Sequence, residues 1–470
     1  MTLHERQQES FSRHPRRRVV LGFICFLGML SNLTSIVPGQ NLPTPPGARV
    51  MDITPKPGWF TEPSIAINPH NPQQVAVAYQ DNAHIAYSFD AGQHWDIAAG
   101  TEPSNYRVSG DVSVTYDKQG HAILCYMAFD KLGTFNYWAH NASRSGLFVR
   151  RSQDGGKTWE SQHIPIIEHE TKPGMPFEDK PYIVADNSRG PHAGNLYVGW
   201  TRWTIEDSQI LLSRSTDDGK TWSAPIEIDE KRGLPRDDNG AAEGFSGVVG
   251  PDGTLYAVWA LGDHIVFTSS RDGGLNFSTP QNIIPVAPIM FHVDDVARAN
   301  GFPVLAMDPR KGKLYVTWSD YRNGEVDVFC STSIDRGRTW TREARVNSDA
   351  VHNGADHFFH WLAVDPTSGD ADVIFYDRRD DPGNRKAKVV LARSTDGGKT
   401  FTNYAWTQEA FEPGGIFMGD YTGIAALGGR VYGVWPEKPA TQERSRDTII
   451  RVGVADFGVG NSKGTNKAGN

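Results

Sequence analysis

One short turn recurs six times along the 470-residue chain, as YSFDAGQHW, RSQDGGKTW, RSTDDGKTW, SSRDGGLNF, TSIDRGRTW and RSTDGGKTF. Its aspartates are Asp90, Asp154, Asp217, Asp272, Asp335 and Asp396, and successive gaps are 64, 63, 55, 63 and 61 residues. So regular a period means one supersecondary unit used repeatedly, which overrides a domain count based on length. Each copy lies between two apolar strand-like runs and reads as a hairpin turn. Asp accepts hydrogen bonds from the turn's own backbone. The Gly two places later supplies a backbone angle that is costly for other residues. The closing Trp or Phe brings a large apolar body to pack under the hairpin. All of this is structural work. Between the turns, short runs of Val, Ile, Tyr and Trp are cut by Gly, Asp, Asn and Pro, so the chain is expected to be all-β.

The net charge is −8, and the first 40 residues hold five Arg against two acids, so the remainder is more acidic still. A nucleic-acid partner is not expected, because it would need a basic face. Arg16-Arg17-Arg18 precede the twelve-residue apolar run VVLGFICFLGML, which suits an export signal and is short for a bilayer span. Arg17-Arg18 before Val-Val-Leu also fits a twin-arginine signal. Residues 1–40 are therefore read as signal peptide and lead-in, and residues 41–470 as the folded unit. The expected location is periplasmic or secreted, without stable membrane insertion once the signal is removed. Cys25 lies in the signal, and Cys125 and Cys330 are expected as buried free thiols. No metal-type Cys or His spacing occurs, and neither a metal nor a cofactor is expected.

The pattern S-x-D-x-G-x-T-W resembles the Asp-box, or BNR, repeat, and the chain resembles the sialidase-like β-propeller superfamily. The resemblance implies that each box closes the outer hairpin of a blade, away from the axis. Inner strands then read EPSIAINP, DVSVTYD, DKPYIVAD, GFSGVVG, FPVLAMD and HWLAVD, with a seventh pair, DYTGIAAL and RVYGVWPEK, after the last box. ARVMDITP, residues 48–55, is available as the outer strand that the seventh unit lacks. A single propeller of seven four-stranded antiparallel blades is expected, because a closed ring leaves no sheet edge exposed at the join. The alternative is six blades with the last unit as an addition.

The loops opposite the Asp boxes are the long ones, including residues 128–146, 168–180, 229–244 and 285–301, which points to function on that face. Polar groups starting the inner strands there are Glu62, Asp111, Glu178, Asp179, Lys180, Glu243, Arg298, His357, Asp420 and Tyr421. Second-strand ends add Arg202, Asp320, Arg322, Asp377, Arg378, Arg379 and Glu437. Such groups either ring a channel mouth or satisfy the loops around it.

Sialidase chemistry uses three Arg on the substrate carboxylate, an acid for the leaving oxygen, and a Tyr nucleophile activated by a Glu. GDYTGIAALGGRVYGVWPEK resembles the Tyr segment, which implies Tyr421 as nucleophile and Glu437 as a supporting carboxylate. GAAEGFSGVVGPDGTLY resembles the segment of the activating Glu, here Glu243, and Arg298 matches one clamp arginine. The other two clamp positions are empty. GWFTEPSIAINP has Glu62 where Arg-Ile-Pro belongs, and LYAVWAL ends without an arginine, which argues against sialic acid as substrate.

Two of the carboxylates Glu62, Asp111, Glu178, Asp179 and Asp420 could instead act as an acid and base pair on a neutral glycan. Trp138, Trp203 and Phe291 on the same loops could stack on sugar rings. Three functions stay open: a glycoside hydrolase with Tyr421, Glu243, Asp420, Asp111, Glu62 and Asp179 as catalytic candidates; a non-catalytic propeller binding glycan or protein; and a polysaccharide lyase. The lyase would use Tyr421 with His357 or His360, and Arg298 or Arg378 on a uronate. Arg298, Glu178, Lys180, His357, Arg322, Arg378 and Glu437 are the substrate-binding candidates, and a monomer acting on a glycan is expected.

Overall fold

Seven four-stranded antiparallel sheets are arranged in chain order, and the described residues contain no helix. The computed structural model describes residues 41–103, 105–130, 144–170, 176–440 and 444–458. Residues 1–40, read from the sequence as signal and lead-in, and Trp138 lie outside them. Inner strands start the blades at Thr61–Ile67, Val108–Tyr116, Phe177–Ala185, Ala242–Val249, Val304–Asp308, His357–Val364 and Gly423–Leu427. The seventh sheet takes its outer strand from the other end of the chain, where Arg49–Asp52 pairs antiparallel with Ile449–Asp456. The run ARVMDITP thus closes the ring, and the six-blade alternative is excluded.

Second strands are covered on both faces by neighbouring blades, so they carry unbroken apolar runs. Ala122–Phe129 is buried at every position. The pattern Leu/Val-Tyr-x-x-Trp recurs in blades 3, 4, 5 and 7, placing Trp200, Trp259, Trp318 and Trp435 fully inside. Neighbouring blades are also stitched by hydroxyls on the inner strands. Ser64 accepts the Val114 N–H at 3.1 Å, Ser113 that of Ile183 at 3.1 Å, and Ser246 that of Leu305 at 3.0 Å. These serines are the S of EPS, DVS and GFS. Each replaces a buried unpaired N–H with a bond worth about 1 kcal/mol net.

The Asp boxes lie between third and fourth strands, on the face opposite the long loops. In RSQDGGKTW, Asp154 accepts from the Thr158 N–H at 2.8 Å, the Thr158 hydroxyl at 2.6 Å and the Ser152 hydroxyl at 2.9 Å. The Ser152 oxygen in turn accepts the Gly156 N–H at 2.8 Å, where φ is +104°. Every acceptor of the aspartate is used within the turn, so the box has no chemistry left to offer. Cys125 and Cys330 are both free and buried.

One departure from regular strand geometry recurs at the start of the inner strands. Register shifts fall between Thr61 and Ser64, Gly110 and Val112, Asp179 and Tyr182, Glu243 and Ser246, and Phe358 and Trp361. Within them Glu62, Asp111, Lys180, Gly244 and Phe359 have φ of +50°, +21°, +50°, +78° and +51°. Four of the five are not glycine, and each such residue costs on the order of 1–3 kcal/mol in strain. A bulge unpairs its residue and re-aims the side chain. Here three of the re-aimed side chains are charged and are carried to the axis.

Candidate functional site at the axis

The re-aimed residues meet over a cavity of about 110 Å³ on the propeller axis. Its apolar walls include Tyr182, Phe245, Phe302 and Trp361, and its upper rim includes Lys180, Asp420 and Tyr421. Trp361 lies 5.5 Å from the Tyr421 ring and 5.9 Å from Tyr182. The Lys180 ammonium lies 4.9 Å over Phe302 and 5.6 Å over Tyr421.

Asp420 is the centre of charge. Arg298 donates to its two oxygens from Nε at 2.7 Å and Nη2 at 2.5 Å, and Lys180 Nζ donates at 2.7 Å. Burial works against its ionisation, but Arg298 and Lys180 win and hold its pKa down to about 2. The remaining Arg298 nitrogen, Nη1, donates to Asp237 at 2.9 Å. Every nitrogen of this guanidinium is therefore engaged by an acid of the chain itself.

Asp111 is the second node. Its Oδ1 accepts the Tyr421 hydroxyl at 3.2 Å, and its Oδ2 accepts the Lys180 backbone N–H at 3.1 Å. Glu62 and Asp179 sit beside it, and both have pKa values raised well above the usual carboxylate range, first by burial and then by the Asp111 charge. Like charges this close do not all ionise readily, which is why Glu62 and Asp179 hold their protons to higher pH than ordinary carboxyls. Both Asp179 oxygens already accept hydrogen bonds, from the Lys180 N–H at 3.1 Å and the Trp203 indole at 2.9 Å. Glu62 accepts the Asp420 N–H at 3.0 Å. The Tyr421 phenol is pushed up by burial and then by the Asp111 charge, so it keeps its proton until a base removes it.

Glu243 differs from the others. It is 1% exposed, and neither of its oxygens has a hydrogen-bond partner among the described residues. Lys180 Nζ stands 3.9 Å away. Burial raises its pKa well above the ordinary value, with the Asp237 charge adding to it. Glu243 therefore holds its proton to higher pH than an ordinary carboxyl, although Lys180 works the other way. Because the folded pKa is raised, the stabilising neutral form is fully present below the unfolded value of about 4.3 and is lost as pH rises through the folded one. Glu243→Gln is therefore expected to melt higher than the parent at pH 9, with the gap closing at pH 5. Thermal melts showing the same gap at both pH values would sink this reading.

The structure separates the sequence candidates into two rings. Glu62, Asp111, Asp179, Lys180, Glu243, Arg298, Asp420 and Tyr421 belong to the axis. The others hold blade ends. Glu178 accepts from the Trp200 indole at 2.5 Å, from His169 at 2.7 Å and from Arg202 Nε at 2.8 Å. Asp320 takes the Trp318 indole at 3.0 Å and Arg322 Nη2 at 2.6 Å. Glu437 takes the Trp435 indole at 3.0 Å and Arg451 at 2.9 Å, and so does not support Tyr421. Arg378 is buried and donates to the carbonyls of Asn384 at 2.6 Å and Asp294 at 2.8 Å. Trp203 is an anchor for Asp179 rather than a sugar platform, and Phe291 packs on the core.

His357 is fully buried between Asp349 at 3.4 Å and Asp377 at 3.5 Å. Together with Asp327 and Asp349 it forms a group whose ligand atoms lie within 4.8 Å of one another. Arg345 already bridges both carboxylates, at 2.8 Å from Asp327 and 3.0 Å from Asp349, so the group is charge-balanced and fits a divalent cation poorly. His360 lines the axial cavity, hydrogen-bonded to the Ser319 hydroxyl at 2.8 Å, and burial lowers its pKa to about 4. Sequence reasoning missed Asp237, Tyr182, Phe302 and Trp361.

No family model matches the chain. A sialidase of Bacteroides fragilis (strain YCH46) is 30% identical over 215 residues, covering 41% of this chain and 36% of that protein. The chain thus spans about a third of the length of this curated relative. Among solved structures, a Hadza microbial sialidase is similar with a TM-score of 0.46 and 16% identity, covering 82% of this chain and 73% of that one. An α-L-arabinofuranosidase of Fusarium graminearum in complex with an iminosugar inhibitor gives 0.47 and 13%, covering 75% and 95%.

Proposed function

We propose that this sialidase-like Asp-box propeller is an exported, monomeric glycoside hydrolase whose reacting sugar is neutral. The observation that carries the reading is the Tyr421–Asp111 hydrogen bond of 3.2 Å, set beside Glu243, a buried acid whose oxygens accept no hydrogen bond among the described residues and whose proton burial helps to retain. In the proposed reaction Asp111 takes the phenolic proton as the Tyr421 oxygen bonds to the anomeric carbon. The glycosidic C–O bond breaks, and its oxygen leaves with the Glu243 proton. Glu243, now ionised, takes a proton from water, and the water oxygen displaces Tyr421, which recovers its proton from Asp111. The proton gained by Asp111 balances the one lost by Glu243, so the pocket charge stays constant, and Lys180 at 3.9 Å faces the charge that forms on Glu243.

Sialosides do not fit this site. Arg298 is committed to Asp420 and Asp237, and Glu62 stands where a second clamp arginine would be. The same commitment disfavours a lyase acting on a uronate, and His357 is tied into the Asp349 and Asp377 network. The test is incubation of the purified protein with sialosides, neutral oligosaccharides and uronate polymers, following products by mass spectrometry. Release of a neutral sugar with none from sialosides is expected. Release of sialic acid would overturn the substrate class, and no product from any glycan would overturn the hydrolase in favour of a binding propeller.

A further inference from the structure

A second concavity lies beside the first blade on the long-loop face. It encloses about 480 Å³ and is lined by residues 56–60 and 444–447. Trp59 stands 44% exposed in it, whereas the strand tryptophans Trp200, Trp259, Trp318 and Trp435 are fully inside. Around it are the cations Lys56, Arg444 and Arg446 and one acid, Asp447, which accepts the Arg444 N–H at 3.0 Å. On a chain of net charge −8 this is a local excess of positive charge.

The groove is built in advance. Gly58 and Thr448 exchange backbone hydrogen bonds of 3.0 and 2.6 Å, and the Thr448 hydroxyl accepts the Phe60 N–H at 2.8 Å. Phe60 is wedged edge-on against Tyr79 at 5.3 Å and His84 at 5.5 Å. Two residues further on the chain reaches Glu62 at the axis, so the groove and the axial site lie along one short stretch of chain.

We propose that this groove binds an acidic sugar residue of a glycan chain, with Trp59 under the sugar ring and Lys56 and Arg444 on its carboxylate or sulfate. An exposed aromatic face takes the apolar face of a pyranose, and guanidinium and ammonium groups supply the anion's hydrogen bonds. Neither partner alone explains the arrangement. A buried Trp would serve packing, and cations without an aromatic platform would serve solubility. The site binds whether or not the axis cleaves, and it implies a glycan in which an acidic residue lies near the neutral one that reacts.

The test is isothermal titration calorimetry of the full protein with a galacturonate hexamer, a sulfated hexasaccharide and a neutral hexasaccharide. At least one acidic oligomer is expected to bind tenfold or more tightly than the neutral one. Trp59→Ala and the double variant Lys56→Ala/Arg444→Ala should each weaken that binding about tenfold, and the double variant should also flatten its salt dependence. Tyr421→Phe should leave it unchanged, which separates this site from the axial one. Which acidic oligomer binds distinguishes a uronate from a sulfated sugar. Equal binding of neutral and acidic oligomers, binding untouched by the groove variants in proteins of unchanged Tm, or equally tight binding of single-stranded DNA would overturn the proposal.

Discussion

Tyr421→Phe, Asp111→Asn and Glu243→Gln are each expected to lower kcat on the neutral glycan by about 10²–10⁴-fold, the range for loss of a positioned acid, base or nucleophile. The three act on one pair of proton transfers, so the double variant Tyr421→Phe/Asp111→Asn should be little worse than either single one. Each substitution keeps the shape of the side chain, so KM should move far less than kcat. The pH profile gives a second reading. The reaction needs Glu243 protonated, and burial holds its pKa well above the ordinary value, so the rate should fall on the alkaline side as pH rises through that raised value. In Glu243→Gln the residual rate should lose this limb. If Glu243→Gln keeps both rate and limb, the acid is another of the raised carboxyls, Glu62 or Asp179. If Tyr421→Phe and Asp111→Asn both keep full activity, the axial site is not where cleavage happens.

The ring was legible in the sequence because its signals are local. Six boxes and seven strand pairs report themselves by spacing, and the run at residues 48–55 could be assigned because only one unit lacked an outer strand. The axial site was legible as a set of residues but not as a set of pairs. Tyr421 meets Asp111, not Glu243, and Arg298 meets Asp420 across 122 residues, because contacts over the axis depend on blade geometry that no spacing encodes. The left-handed φ angles at Glu62, Asp111 and Lys180 were invisible for the opposite reason, since strain at a non-glycine residue leaves no compositional mark.

The outer ring was mistaken for part of the funnel because its acids and arginines also end strands on the same face. A local signal did exist. In Trp200-x-Arg202, Trp318-x-Asp320 and Trp435-x-Glu437 a buried Trp stands two residues before a charged group. An indole N–H buried there needs an acceptor: Asp320 and Glu437 supply it for Trp318 and Trp435, while Trp200 donates to Glu178, which Arg202 also grips. A charged group two places after such a Trp is therefore already spoken for, whereas Tyr421 and Glu243 lack that neighbour, and Tyr421 lines the cavity.

A chain beginning at Ile53 is expected to lose about 10 °C or more in Tm and to self-associate. The deletion removes the pairing of Arg49, Val50, Met51 and Asp52 with Val454, Gly453, Val452 and Arg451. It also removes the Asp52–Arg451 ion pair of 2.7 Å, the packing of Val50 and Met51 on the core, and the bond from the Asp456 N–H to Pro46 at 2.8 Å. Partial burial of two apolar side chains and a handful of ladder hydrogen bonds come to roughly 5–8 kcal/mol. The energetic loss is only half the effect. Ile449–Asp456 would become an edge strand presenting unpaired N–H and C=O groups, and such an edge recruits another chain. Calorimetry and size-exclusion chromatography check both consequences, with a chain beginning at Pro43 as the control that should match the parent. A peptide spanning residues 43–55 added in trans should restore part of the lost Tm, because strand addition needs only the free edge. An unchanged Tm for the shortened chain would mean that the N-terminal strand contributes nothing to closure, and that the seventh blade stands on three strands alone.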